Sequence, residues 1–307
     1  MYGALTAAYL GLDRVDEAAS IANKALAVEP DSPATHTLRY VVASAQDDSA
    51  GMQRELKWAS NAPAGESDLL ILGALQSTKH GQLRHARELL AQNLAANEAG
   101  NLKEIAAQAA ATGSYIEATL GETQEAQRQA VKSLALARTR TNLPTLAVTL
   151  ALLGEDRKSE SMVEELNRKY PLDTLIQSVY IPCSKAVGEA HRKSFSRAVD
   201  LLRPAARYEL GAAIEFLPIY VRGLIYLEAN QTEDAITEFQ KIVNHHNLAP
   251  FAPEHALALV QLGRAFVQQG DNTKARTAYQ DFLALWKDAD PDIPILKQAK
   301  AEYAKLQ

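Results

Sequence analysis

Small residues recur along this 307-residue chain at a spacing that a stack of helical hairpins explains. In "LVQLGRAFVQQGDNTKARTAYQDFLALW", residues 259–286, Gly263, Phe266, Gly270, Ala275 and Tyr279 stand at positions 8, 11, 15, 20 and 24 of a unit of about 34 residues. "FLPIYVRGLIYLEANQTEDAITEFQKI" places Gly223, Tyr226, Ala235 and Phe239 at 8, 11, 20 and 24. Near the start, Tyr9, Ala18, Ala25 and Pro30 fall at 11, 20, 27 and 32. Gly81 with Ala86, and Gly121 with Ala126, supply positions 15 and 20 twice more. One degenerate unit keeps Gly154 and Pro171 at 15 and 32 but has Ser159 at 20, another keeps Ala186 and Ala198 at 8 and 20, and the weakest has Met52 at 20. The position-20 residues, numbers 18, 52, 86, 126, 159, 198, 235 and 275, are separated by 34, 34, 40, 33, 39, 37 and 40 residues, so the longer gaps need inserted residues or extended helices.

The spacing has a physical basis. Two helices approach closely only where small side chains face each other, hence Gly or Ala at 8 and 20. Aromatics at 11 and 24 fill the space beside them. Gly or Asp near 15 makes the sharp turn, and Pro at 32 ends the second helix. Composition agrees: 47% of residues are hydrophobic, Gly and Pro are sparse, and helix-favouring residues dominate. Long β-branched runs and Asn-Gly turns are missing, so the fold class is all-α.

These residues resemble the tetratricopeptide repeat, and the resemblance runs along essentially the whole chain. It implies an α-α superhelix, a right-handed solenoid of about eight hairpins over residues 1–290, with a linker and capping helix over 291–307 as part of the same continuous domain. Ile295, Leu296, Ala299 and Tyr303 give that last helix, from about Pro294, one apolar face. The front has no comparable cap, since Met1 already falls inside the first helix; the expectation is a fragment whose array continues upstream or joins another domain. The last unit and tail further resemble the C-terminal repeat region of bacterial eukaryotic-like serine/threonine kinases, which would make this chain the interaction arm of a larger signalling protein.

Catalytic signals are missing from the sequence. There is no kinase glycine-rich loop, His-Arg-Asp or Asp-Phe-Gly, no P-loop, no G-x-S-x-G and no H-E-x-x-H. His80 and His85 do not share a helix face, and Cys183 is the lone cysteine, so no metal site, cofactor or disulfide is expected. His245 and His246 read as helix-end residues, and Trp58 and Trp286 as packing residues. The net charge of −5 argues against nucleic acid, with "HRKSFSR" (191–197) read as a solvated helix end. No run of about 18 apolar residues would span a membrane, and the start lacks a basic leader region. A soluble chain is expected, cytoplasmic or, as the arm of a tethered kinase, periplasmic.

A partner would sit on the inner face of the first helices. In the repeat family, positions 2, 5, 9, 12 and 13 line a concave groove, which carries over to Tyr115 in the fourth unit, and to Tyr180 and Val187 in the sixth. The seventh offers Tyr220, Leu224 and Leu227, and the eighth Val260 and Arg264. The family's Lys/Asn/Arg carboxylate clamp is absent. An apolar groove with aromatic spots fits a protein or peptide partner. The alternatives are a small-ligand sensor with its pocket inside the superhelix around Tyr220, Tyr180 and Arg264, or a homo-oligomerising scaffold such as a homodimer. The inserted loop "NHHNLAPFAPEH" is a candidate to fill the groove itself.

Overall fold

A computed structural model describes residues 1–62, 68–211 and 216–306, and these form an α-solenoid with no strand among them. Among the described residues, sixteen helices pair in chain order. The first four hairpins are α1 (Tyr2–Gly11) with α2 (Val15–Val28), α3 (Pro33–Ala45) with α4 (Ser49–Asn61), α5 (Asp68–Lys79) with α6 (Leu83–Ala99), and α7 (Lys103–Leu120) with α8 (Thr123–Leu136). Then come α9 (Leu143–Leu152) with α10 (Asp156–Lys169), α11 (Ile181–His191) with α12 (Phe195–Leu201), α13 (Leu217–Glu228) with α14 (Thr232–Asn244), and α15 (Glu254–Gln269) with α16 (Asn272–Leu285). A final helix, α17 (Pro294–Ala304), packs Ile295, Leu296 and Ala299 inward.

The eight hairpins turn by one mechanism. Position 15 has positive φ in every unit: Asp13, Asp47, Gly81, Gly121, Gly154, Lys193, Asn230 and Gly270. In each, the N–H of the next residue bonds back to the carbonyl at position 11, from Arg14 to Tyr9 (2.8 Å) through to Asp271 to Phe266 (2.9 Å). This six-residue closure around a left-handed residue satisfies carbonyls that the helix end leaves open.

The small-residue positions sit at the helix crossings. Ala18, Ala86, Ala126, Ala198, Ala235 and Ala275 are wholly buried. Ser159 keeps the site by donating its hydroxyl to the Ala147 carbonyl at 2.8 Å, while Met52 is half-buried against the main core. A methyl at Gly223 would lie 2.6 Å from the Phe239 ring, and one at Gly263 would lie 2.7 Å from the Tyr279 ring. The aromatic at 24 therefore fills the volume left by the glycine at 8.

One turn departs from the pattern. Residues Ile176–Tyr180 form a π-helical turn that runs into α11. Pro182, at the second position of α11, has no N–H to give residue 178, and its ring collides with that carbonyl in a regular helix. The wider turn removes the conflict.

The solenoid closes on itself. Lys79, at the end of α5, donates from Nζ to the Pro250 carbonyl at 2.6 Å, and the Trp286 indole N–H donates to the Lys79 carbonyl at 2.9 Å. The Asp290 N–H reaches the Gly81 carbonyl at 2.9 Å, and Arg84 meets Asp290 and Asp292. Farther forward, Asn247 donates to Asp13 at 2.5 Å. Helix α5 lies against α15, and the first and third hairpins are thereby clasped to the segment between α14 and α15 and to the chain beyond α16.

Candidate functional site

Closure turns the inner face into a lumen. A cavity of 480 Å³ opens there, walled by α3, α5, α7, α9, the π-turn, α13 and the start of α15. Nearly all of its lining falls at positions 2, 5, 6 and 9 of successive units, among them Thr37 and Val41, Ile71 and Leu72, Gln108 and Thr112, and Thr145 and Val148. Helical periodicity places these positions on one stripe, so stacking aligns them into a continuous wall.

Tyr115 and Tyr180 both line this lumen. Proline-driven widening of the turn sets the position of Tyr180, half-buried at the end of the π-helical stretch. The Tyr115 hydroxyl donates to Glu254 Oε1 at 2.5 Å, joining α7 to α15 across the ring. Glu254 is 2% exposed, and its Oε2 has no hydrogen-bond partner. Loss of water raises its carboxyl to about 7, with the Tyr115 hydrogen bond pulling the other way. Asp68 is the other carboxylate on the lining and is exposed. Among the described residues, no Lys, Arg or His lines the cavity.

The other six groove residues lie elsewhere. Val187 is buried against α13 with Val221 and Ile225. Tyr220 is 4% exposed, with its hydroxyl accepting from Gln261 and burial pushing it up to about 12. Leu227 and Val260 are buried in the main core and half-buried Leu224 packs on it, as expected where α5 comes to rest against α15. Arg264 faces α17, bonded to Glu302 and Gln298.

One lining feature lay outside the sequence reading, and the inserted loop, read as a candidate to fill the groove, takes a different part in it. Position 6 contributes Leu72, Thr112 and Thr145 because a superhelix this tightly closed exposes a wider stripe of each first helix. Phe251 and Glu254 come from the inserted loop and the helix start after it; the loop thus supplies part of the wall, while the lumen stays open. The loop's length was the available signal; its destination depends on the closure.

Elsewhere, the buried carboxylates Glu55, Glu117 and Glu238 are each paired with a cation or a histidine. Arg222 contacts Glu209 at 2.7 Å and Glu238 at 2.5 Å, and Glu55 accepts from His36 at 2.5 Å while His36 stacks on Trp58 at 3.9 Å. Cys183 is buried, which pushes its thiol far above the ordinary range. Among the described residues, no group of three or more His, Cys, Asp or Glu is placed to hold a metal, and no helix is long and apolar enough to cross a membrane.

Comparison with known proteins matches the last hairpin to a family. Residues 257–289 match the model described as Tetratricopeptide repeat. No curated protein matches the chain. Among solved structures, the chain is similar to the TPR domain of P58(IPK), at 13% identity over 100% of this chain and 98% of that one, with a TM-score of 0.28. It is similar also to yeast Tom70, at 12% identity over 99% of this chain and 88% of that one, with a TM-score of 0.37. The α15–α16 hairpin, where the repeat signal is least diluted, is thus the part of the chain that carries the family's pattern.

Proposed function

We propose that this chain is a non-catalytic protein-interaction module that seats a segment of its partner in the lumen. The observation that carries the reading is the alignment of equivalent first-helix positions from six successive hairpins around one accessible, largely apolar cavity. Ile71, Leu75, Val148 and Leu217 pack into the core behind this wall, whereas Thr37, Val41, Leu72, Gln108, Thr112 and Thr145 are half-buried and leave a surface for a ligand to meet. The sequence offers no catalytic motif to set against this. The tail's resemblance to kinase-linked arrays extends the proposal: the module would be the regulatory arm of a bacterial signalling protein.

Selection from a random peptide display library on the immobilised protein tests the reading. Enriched sequences are expected with the wild type and lost with Thr145→Arg, which pushes bulk and charge into the cavity from a half-buried wall position. Circular dichroism should show unchanged helicity in that variant. A selection without enrichment, or enrichment indifferent to Thr145→Arg, would overturn it.

A further inference from the structure

The lumen is selective in charge as well as shape. Its described lining carries two carboxylates and no cation, with Asp68 exposed and Glu254 buried. Three aromatic residues, Tyr115, Tyr180 and Phe251, share the walls with aliphatic side chains. Elsewhere the buried carboxylates Glu55 and Glu238 have a cationic or histidine partner, whereas Glu254 has the Tyr115 hydroxyl and its own backbone N–H but no cation, and its second oxygen is unpaired. A buried carboxylate in that condition is costly unless a positive group comes near it. Ring faces add a second attraction for the same kind of group.

Size narrows the occupant further. A helix of about 10 Å diameter takes up roughly 420 Å³ per turn, so a 480 Å³ cavity holds a few side chains and not a folded partner. We infer that the lumen is a receptor for a basic side chain, lysine or arginine, presented by a short segment of the partner and held between Asp68 and Glu254 among the aromatic residues. This rests on the protein-interaction reading above and specifies the chemistry of its partner.

The test starts from the same display selection and adds two comparisons. Enriched peptides are expected to share one Lys or Arg position. On the best of them, replacing that residue by norleucine, which keeps the stem and removes the charge, should weaken binding by about tenfold or more in isothermal titration. Asp68→Asn and Glu254→Gln should each weaken the parent peptide several-fold and leave the norleucine peptide unaffected. If the enriched peptides share no basic position, or norleucine binds equally well, the inference is overturned, while the lumen reading survives as long as Thr145→Arg still blocks capture. If hexylamine alone binds as tightly as the peptide, the occupant is a free amine and the peptide assignment fails. Absence of any enrichment overturns the interaction reading and this inference with it.

Discussion

Single residues carry most of the hairpin geometry, and two kinds of position test it. Lys193 holds the left-handed turn position with φ 61°, where four other units use glycine. A residue with a Cβ is strained there by about 1–2 kcal/mol, partly offset by the unfolded-state freedom that glycine brings. Lys193→Gly should therefore stabilise the protein by about 0.5 kcal/mol in urea denaturation, even though it removes the exposed Lys193–Glu228 ion pair. Gly263→Ala should do the reverse, by about 1–3 kcal/mol, because the methyl meets the Tyr279 ring and that ring is fully enclosed. Glu254 gives a pH signature. Its folded carboxyl titrates near 7 against an ordinary 4.5, so the protein loses stability as pH rises through that window. Relative to wild type, Glu254→Gln should be near neutral at about pH 4 and more stable by about 3 kcal/mol at about pH 8. A constant difference across pH would show that Glu254 is not held in a dry site.

At the scale of the helix, the sequence was most legible where one small residue decides a crossing. Ala18, Ala86, Ala126, Ala198, Ala235 and Ala275 mark every second helix except the two with Met52 and Ser159. Ser159 was readable only in part, since its hydroxyl needed a carbonyl acceptor that the sequence does not display. The π-turn was not read at all. Pro182 announces that something must give, but a kink, a break and a widened turn all satisfy it. The choice has a functional edge, because it sets Tyr180 into the lumen. Pro182→Ala restores a donor and removes the ring clash, so the turn should relax to regular helix and weaken peptide capture several-fold with little loss of stability. A variant that binds normally would separate the π-turn from the site.

Closure is the property of the whole molecule that the sequence concealed. The contacts that make it join residues such as Lys79 and Trp286, far apart in the chain, and they arise from small rotations accumulated over several hairpins. Tyr115 and Tyr180 could be assigned to the inner face from their positions alone, and the structure brings them to one cavity. Leu227, Val260 and Arg264 hold equivalent positions, but α5 and α17 cover that end of the array. Removing the clasp should thus cost more than one local contact. Trp286→Ala is expected to destabilise by about 3–5 kcal/mol and to split a single melting transition into two, with hydrogen exchange rising first around residues 79–81 and 289–292. A single, merely shifted transition would mean that the clasp adds stability without coupling the two ends.

An open array lets a lineage gain or shed a hairpin, since each unit answers only to its neighbours. Here the Gly81 carbonyl must find the Asp290 N–H, and Arg84 must find Asp290 and Asp292. One hairpin more or fewer between the third and the eighth would carry these groups past each other by a full step. Fastening the third hairpin to the chain beyond the eighth ties the closure to one number of units between them, and leaves the side chains that face the lumen as the positions a substitution can change without undoing it.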